Sequence, residues 1–228
     1  MNTQIDFEQA RLNMIEQQIR TWEVLDQDVL DLIYQVHRED FVPGNYKQLA
    51  LADTNIPLAN GQVMMTPKLE ARLLQAVALQ KNDRVLEIGT GSAYLTALIA
   101  KRAQHVDSVD IFPDFTKEAA VKLENYQLEN VQLHTGDVLS NWKNQTSYDV
   151  IIVTGSMSKL EQTLQTQLTE SGRLFVIVGK SPVMEARLIT RVGENEWSTE
   201  TLFETDLPAL IGAEEAVPFQ FSVFHSFS

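Results

Sequence analysis

Two glycines between an apolar strand and an apolar helix carry the strongest chemical signal in this sequence. Residues 84–88 predict the end of a buried strand, and residues 94–100 predict the start of a helix. Gly89 and Gly91 lie between them, where a side chain would block the approach of a ligand to the backbone and resist a positive φ. Because the amides at the start of a helix point toward such a ligand, the segment predicts a Rossmann-like binding site.

The residues beside these glycines favour a cationic ligand over a dinucleotide. A dinucleotide fingerprint has a third glycine where this chain has Tyr94, so a nicotinamide-dependent oxidoreductase is disfavoured. Glu87 stands two residues before the first glycine, and an anion there suits a ligand with positive charge better than a pyrophosphate. The pattern favours S-adenosylmethionine, which has a sulfonium and an amino group, as cofactor, with S-adenosylhomocysteine as product. The alternative is a glycine turn in another kind of α/β protein.

Acidic residues after the next two predicted strands extend this site. Asp110 follows the glycines by about 20 residues, where a carboxylate can accept both ribose hydroxyls, and Ile111 would pack on adenine. Asp137 would accept from the adenine amino group or serve as a turn aspartate. The predicted cofactor residues are Glu87, Ile88, Gly89, Thr90, Gly91, Ser92, Asp110, Ile111, Gly136, Asp137 and Val138.

The residues that would contact a methyl acceptor are less sharply marked. Thr154 and Ser156 follow the predicted strand 148–153, where they either face the acceptor or cap the next helix. Methyl transfer from a sulfonium is an in-line displacement that depends on positioning, and a carboxylate acceptor needs no general base at pH 7. No catalytic residue is therefore assigned. The candidates for the acceptor site are Gln62, Met64, Met65, Thr66, Thr154 and Ser156.

The elements that must position these residues alternate between strand and helix. Predicted strands span 84–88, 105–110, 130–135, 148–153 and 172–178. Predicted helices between them span 92–103, 114–126 and 157–170. This alternation predicts an α/β fold with a doubly wound, mostly parallel Rossmann-like sheet.

Other patterns flank this core. Helices are predicted at 6–22, 26–37 and 67–80, with Asp26 as an N-cap, Pro67 in a first turn, and a loop-rich segment at 38–66. Strands are predicted in the tail at 186–192, 197–202 and 219–227. We expect one domain over residues 1–228, made of a helical and loop cap (1–66), a cofactor-binding core (67–182) and C-terminal strands (183–228).

Composition excludes several classes of protein. The net charge of −13, without a run of Lys or Arg, argues against nucleic acid and anionic membranes as partners. Without cysteines, and with four scattered histidines, neither disulfides nor a metal site is expected. No stretch approaches the ~18 apolar residues of a membrane span, and no signal-peptide pattern is visible, so we expect a cytoplasmic protein. We expect a monomer or a weak homo-oligomer.

Several segments resemble one family, the protein-L-isoaspartate O-methyltransferases, within the class I S-adenosylmethionine-dependent methyltransferases. The similar segments are residues 11–20, 36–43, 52–58, 61–62, 86–94, 136–137 and 148–154. The glycine loop is shared by many methyltransferases, whereas the N-terminal segments are more specific to this family. The resemblance implies protein repair, with a methyl group transferred to a carboxylate of an isoaspartyl residue in a peptide or protein.

Three departures from the family pattern concern the acceptor side and the last loop glycine. The family's Gly-Gln-Thr-Ile-Ser-x-Pro is Gly-Gln-Val-Met-Met-Thr-Pro here, so Val63 and Met65 replace two hydroxyl residues. Where the family has Thr-Ala-Ala-Pro, residues 154–157 of this chain are Thr-Gly-Ser-Met. Ala93 replaces the last glycine of the family's glycine loop. Two alternatives stay open: a different acceptor, such as a small carboxylate, or a non-catalytic cofactor-binding protein. In the second case 63–65 would be a partner contact or a closed lid, whereas the alternative for its two methionines, favoured over a partner contact, is core packing.

Overall fold

Helices, short turns and one hairpin form the N-terminal part of the computed structural model, which describes residues 6–141 and 146–213. Its elements are α1 (Phe7–Met14), a π-helical turn (Ile15–Ile19), a 3₁₀ turn (Arg20–Trp22), α2 (Gln27–Gln35), 3₁₀ turns (Arg38–Asp40, Gly44–Leu49 and Ala59–Gly61), strands β1 (Ile56–Pro57) and β2 (Val63–Met64), and α3 (Pro67–Val77). The predicted cap of α2 is confirmed, because the Asp26 carboxylate accepts from the amides of Asp28 and Val29.

A seven-stranded sheet forms the centre of the fold. The remaining elements are β3 (Arg84–Ile88), α4 (Tyr94–Ala100), β4 (His105–Asp110), α5 (Pro113–Asn125), β5 (Val131–Thr135), α6 (Val138–Asn141), β6 (Tyr148–Met157), α7 (Gln162–Thr166), β7 (Leu168–Lys180), β8 (Val183–Gly193) and β9 (Glu196–Thr205). The strand order is β5-β4-β3-β6-β7-β8-β9. The five strands β5, β4, β3, β6 and β7 are parallel to one another, and β8 and β9 continue the sheet in antiparallel pairing. The predicted fold class is confirmed.

The order of the strands determines where a ligand can bind. The chain enters the sheet at β3, adds β4 and β5 on one side, and then crosses to β6 on the other side. In such a sheet the connections diverge at the carboxyl ends of the strands on either side of the crossover, which leaves a crevice there. The turns that follow β3, β4, β5 and β6 therefore converge on one crevice.

The prediction of a helix over 157–170 is wrong for most of that range. Strand β6 instead continues to Met157, α7 is a short helix within the range, and β7 begins before the predicted strand 172–178. The causes are tertiary contacts: β6 and β7 pair at both ends of this range, through Met157 and through Leu168. In addition, the Ser156 amide donates to Pro208 O (2.9 Å), and the Leu210 amide donates to Ser156 O (2.8 Å). A distant segment thus extends the strand where local sequence alone favoured a helix.

The N-terminal part is joined to the sheet by apolar packing, and buried ion pairs hold its own elements together. Met14, Ile33 and Phe41 belong to the same hydrophobic core as Val85 and Leu98. Two ion pairs, Arg11–Glu39 and Arg38–Glu70, lie within this region and are almost inaccessible to solvent. Of the predicted tail strands, 186–192 and 197–202 are confirmed within β8 and β9, and 219–227 lies outside the described residues. Within 6–141 and 146–213, no helix is long and apolar enough to span a membrane.

Candidate cofactor and acceptor site

A cleft of about 740 Å³ opens at the carboxyl ends of the parallel strands; we call it the outer cleft. The predicted cofactor residues that line it are Ile88, Gly89, Gly91, Asp110, Ile111, Gly136, Asp137 and Val138. Leu58, Gln62 and Val63 also line it, as does the strap, our name for residues 207–211. The crevice that the strand order requires is thus a real cavity, lined by the turns that sequence reasoning selected.

A smaller cavity of about 310 Å³, the inner cavity, adjoins the outer cleft behind the glycine turn. It is lined by the predicted cofactor residues Glu87, Gly89, Thr90, Gly91 and Ser92. Its other lining residues are Val63, Met64, Met65, Glu70, Leu95 and Thr154. Because Val63 and Thr154 line both cavities, these two side chains mark the junction between them. Every predicted cofactor residue therefore lines at least one of two adjoining spaces.

The glycine turn has no room for a side chain at its first glycine. Gly89 has a φ of +100°, and a Cβ built on it would lie 2.1 Å from Thr154 Oγ1. That hydroxyl donates to the carbonyls of Ile88 (2.9 Å) and Gly89 (2.8 Å). Thr154 therefore holds the turn against the end of β6, and its proton is already used in doing so.

Asp110 is fixed at the end of β4 by backbone amides. Its Oδ2 accepts from the Gly91 amide (2.9 Å) and its Oδ1 accepts from the Phe112 amide (3.0 Å). Burial raises the pKa of this carboxyl, and hydrogen bonds from the backbone of Gly91, Phe112 and Thr90 oppose the shift. The carboxylate lines the outer cleft with lone pairs still available, so it can accept from the vicinal hydroxyls of a ribose.

Asp137 serves the local structure and also lines the outer cleft. Its Oδ1 accepts from the Leu139 amide (2.9 Å), which is the turn role that the sequence left open. Gly136 precedes it, and a Cβ at that glycine would meet nothing within 4 Å. The two interpretations of Asp137 are therefore compatible, because one carboxylate oxygen caps the turn while the residue still faces the cleft.

Glu87 lies beneath the glycine turn and has no exposed surface. Its Oε2 accepts from Thr96 Oγ1 and Ser108 Oγ, both at 2.6 Å. Its Oε1 has no hydrogen-bond partner among the residues that the structure describes. Burial raises the pKa of this carboxyl to about 8. An orphaned, buried carboxyl oxygen that lines a cavity fits a ligand group that donates hydrogen bonds.

The predicted acceptor residues divide between the cavities and the core. Met64 and Met65 are buried in the core and line the inner cavity, which agrees with the core-packing interpretation. Gln62 lines the outer cleft. Thr66 accepts from the Leu69 amide as the N-cap of α3 and lines neither cavity, so it does not replace the missing hydroxyl.

Ser156 is not placed at either cavity. The side chain is buried, and its Oγ donates to Leu207 O at 2.7 Å. Together with the backbone pairing of Ser156, this bond fastens the strap beside the end of β6. Ser156 thus acts on the site through the strap.

Sequence reasoning missed three features of the site: Arg38, Glu70 and the strap. Arg38 donates to Met65 O and Ala50 O and so holds the acceptor loop from inside the protein. It lies in the family-like segment 36–43, which could have marked it. Neither a motif nor a spacing rule identifies Glu70, whose place in the cavity depends on how α3 docks.

The strand order, the glycine turn after β3 and the aspartates at the next two strand ends define a class I methyltransferase. A crystal structure from Plasmodium falciparum, of a protein-L-isoaspartate O-methyltransferase solved with S-adenosyl-L-homocysteine, matches with a TM-score of 0.76 at 19% identity, over 91% of this chain and 99% of that one. A second solved protein-L-isoaspartate O-methyltransferase matches with a TM-score of 0.72 at 24% identity, over 89% of this chain and 65% of that one.

Sequence comparisons identify the family. The family model "Protein-L-isoaspartate(D-aspartate) O-methyltransferase" matches residues 9–212. Protein-L-isoaspartate O-methyltransferase 2 of Pelobacter propionicus is 34% identical over 91% of this chain and 92% of its own length. The protein-L-isoaspartate O-methyltransferase of Rhodopseudomonas palustris is 35% identical over 88% of this chain and 93% of its own length. The chain belongs to the protein-L-isoaspartate O-methyltransferase family.

Proposed function

We propose that this protein transfers a methyl group from S-adenosylmethionine to a carboxylate of an isoaspartyl residue in a peptide or protein. The observation that carries the proposal is that every predicted cofactor residue lines at least one of two adjoining cavities in a chain that belongs to this family. Family membership also favours methyl transfer over the non-catalytic alternative that the sequence left open.

The residues present fit the chemistry of this cofactor. We assign the adenosine part to the outer cleft, with Asp110 accepting from the ribose hydroxyls, Ile111 against the adenine ring and Asp137 near its amino group. We assign the amino-acid part to the inner cavity, where the orphaned Oε1 of Glu87 accepts a hydrogen bond. Gly89 has no side chain, so the backbone stays open to the cofactor between its adenosine part and its amino-acid part. When bound, the cofactor supplies an electrophilic methyl group on a sulfonium.

The task of the chain in this reaction is positioning. An isoaspartyl carboxylate is ionised at pH 7, so it attacks without a general base, and the rate depends on how well it is held in line. We place it at the junction marked by Val63 and Thr154. The apolar side chains of Val63, Leu207 and Leu210 line the outer cleft and exclude water from this region.

The substitutions in the acceptor loop predict a slow version of the family reaction. Neither the Val63 nor the Met65 side chain can donate a hydrogen bond, and the Thr154 hydroxyl proton is directed at backbone carbonyls. Losing one hydrogen bond to a charged group costs about 1.5–3 kcal/mol, which corresponds to about one to two decades in rate or affinity. We therefore expect isoaspartyl methylation that is measurable but weak.

The proposal is tested by cofactor binding and methyl transfer measured side by side. Calorimetry should show saturable binding of S-adenosylhomocysteine, and labelled S-adenosylmethionine should give a methyl ester on an isoaspartyl peptide. The matched aspartyl peptide is the control and should stay unlabelled. Absence of cofactor binding contradicts the proposal as a whole. Binding without isoaspartyl product, but with product on a small carboxylic acid, contradicts the assigned acceptor alone.

A further inference from the structure

The turn that joins β1 to β2 contains the single Asn-Gly sequence of the chain, at Asn60 and Gly61. Both residues are exposed to solvent, and neither lines the outer cleft or the inner cavity. The proposed function therefore leaves this pair without a role. Its covalent chemistry gives it one, because an asparagine that precedes a glycine is the sequence most prone to deamidation.

Deamidation of Asn60 needs only its own neighbour and water. The Gly61 nitrogen forms a bond to Cγ of Asn60, the bond from Cγ to Nδ2 breaks, and the side-chain nitrogen leaves as ammonia with the proton of the attacking amide. The product is a five-membered imide, and water opens it at either carbonyl to give an aspartyl or an isoaspartyl residue. Glycine favours ring closure because it has no side chain to hinder its own nitrogen.

The tip of the turn can reach the geometry that this reaction requires. Asn60 has a φ of 56° and a ψ of 24°, which directs the Gly61 nitrogen away from the Asn60 side chain, so the peptide group must rotate before the ring closes. A Cβ at Gly61 would meet nothing within 4 Å, so there is room for this rotation. The Asn60 side chain is held by a hydrogen bond from its Nδ2 to Asp114 Oδ2 (2.9 Å), and both residues are exposed. Exposed turns of this kind open at little cost in free energy.

We propose that Asn60 is a modification site, at which deamidation produces an isoaspartyl residue that a second copy of this chain methylates. The methylation step rests on the proposed function, whereas the deamidation step does not. In the isoaspartyl form the side-chain carbonyl carries the bond to Gly61, and the α-carboxylate is free. That carboxylate bonds to the methyl carbon as the bond from methyl to sulfur breaks, and the sulfur keeps the electron pair. The Gly61 nitrogen then displaces methanol from the ester and forms the imide again, which water opens.

The modified residue must be presented to another copy of the chain. Leu58, Gln62 and Val63 flank the tip of the turn, and all three line the outer cleft of their own chain. The pairing of Pro57 with Val63 and the hydrogen bond from the Leu58 amide to Gln62 O (2.8 Å) hold these flanking residues together. Residue 60 thus lies at the end of a short hairpin that is part of the wall of its own site, and it cannot fold back into that site.

Asn55 is the matched control within the same segment. It is exposed like Asn60, but it precedes Ile56, whose β-branched side chain hinders the attacking nitrogen. Trypsin releases residues 48–68 as one peptide that contains both asparagines. After incubation of the wild-type protein at mildly alkaline pH, mass spectrometry should find isoaspartate at residue 60 at least about tenfold above that at residue 55. Equal levels at the two residues, or none at residue 60, overturn the inference.

Two variants test the chemistry of the site. Asn60→Gln keeps a side-chain amide but would have to close a six-membered ring, so it should lose the modification. Asp114→Ala removes the hydrogen bond that restrains the Asn60 amide, so it should raise the rate of deamidation about threefold. Persistence of the modification in Asn60→Gln overturns the inference.

Methylation by a second copy is measured with aged wild-type protein as substrate and fresh Asn60→Gln protein, which lacks the site, as catalyst. With S-adenosylmethionine present, isoaspartate at residue 60 should be lost faster in proportion to the concentration of added catalyst. With S-adenosylhomocysteine instead, it should persist. A synthetic isoaspartyl peptide is the positive control for the catalyst.

Distinct outcomes overturn the inference and the proposed function. A catalyst that methylates the synthetic peptide but leaves isoaspartate at residue 60 unchanged overturns the inference. A catalyst that methylates neither contradicts the proposed function, while mass spectrometry of the aged protein decides the deamidation of Asn60 by itself.

Discussion

The cofactor side and the acceptor side of this site are built in different ways. The cofactor side consists of turns that directly follow β3, β4 and β5, so the parallel sheet itself brings them together. The acceptor side consists of the loop 61–66, the end of β6 and the strap, which are far apart in sequence and are held by Arg38 and Ser156. The cofactor side keeps the family pattern, whereas the acceptor side carries most of the departures from it.

The contrast indicates which positions can change. On the cofactor side a ligand approaches the backbone itself, so an added side chain collides at once, as Gly89 shows. On the acceptor side the loop residues pack in or against the core, so Val63 and Met65 can replace polar side chains while the fold is retained. Cofactor binding can therefore be retained while the residues of the acceptor site change.

The largest effect should come from Gly89→Ala. The new Cβ would lie 2.1 Å from Thr154 Oγ1 at a φ of +100°, so both the turn and its tie to β6 must shift. We expect the free energy of unfolding to fall by about 3 kcal/mol and S-adenosylhomocysteine binding to be lost. Chemical denaturation and calorimetry measure the two effects.

Gly136→Ala is the matched control in the same cleft. A Cβ at Gly136 would meet nothing within 4 Å, so this variant should lose less than about 1 kcal/mol and should still bind ligand. If the two alanine variants behaved alike, the tight packing assigned to the cofactor side would be wrong.

Asp110→Ala should produce the next largest effect. Removing this carboxylate deletes the proposed ribose acceptor and leaves the Gly91 and Phe112 amides without their partner. We expect the dissociation constant of S-adenosylhomocysteine to rise about 100-fold while circular dichroism shows a folded protein. Asp114→Ala, at the neighbouring start of α5, should change it less than about threefold. An unchanged constant in Asp110→Ala would mean that the ribose lies elsewhere.

Elements governed by local rules were predictable from the sequence. Strands β3 and β4 match the predicted bounds, since a buried apolar run ends at a glycine turn in one case and at a strand-terminal acid in the other. The topology of a parallel sheet then places the following turns at one edge, so the residues that line the two cavities there could be named from the sequence.

Features created by distant contacts were not predictable in the same way. Strand pairing replaced both ends of the helix expected over 157–170, because β6 pairs with β7 through Met157 and Leu168 and the strap adds backbone partners for Ser156. Similarly, Glu70 reads as a polar position of an amphipathic helix, yet α3 docks so that this carboxyl is buried against Arg38. In both cases the contact that determines the local structure is made with a residue far away in the sequence, so a local sequence pattern does not predict it.

Met65→Ser tests the acceptor side, where the expected effect is smaller. Restoring the family hydroxyl should raise isoaspartyl kcat/KM about tenfold if the loop has the family geometry. Because Met65 is a buried core residue, the same change should lower the free energy of unfolding by about 2–4 kcal/mol. Peptide methylation and denaturation, both at low temperature, measure the two changes.

Met64→Ser is the control for Met65→Ser. It introduces a hydroxyl and a comparable void one position away, in the same inner cavity. It should destabilise the protein to a similar degree without the gain in kcat/KM. If Met65→Ser also gave no gain in kcat/KM, the missing hydroxyl would not explain the weak isoaspartyl methylation that we expect.

The smallest effect should come from Ala93→Gly, the one departure from the family pattern on the cofactor side. Ala93 has a φ of +68°, a left-handed conformation that costs a residue with a Cβ about 1–2 kcal/mol, so glycine relieves strain. Its methyl group is fully buried, however, and losing it costs about 0.8 kcal/mol, while the freedom of glycine in the unfolded chain costs about 0.5–1 kcal/mol more. These contributions nearly cancel, so stability should change by less than about 0.5 kcal/mol and the ligand dissociation constant by less than about twofold. A much larger change in either quantity would show that the cofactor side tolerates this alanine only through a compensation elsewhere, and the contrast between the two sides would then be weaker than proposed.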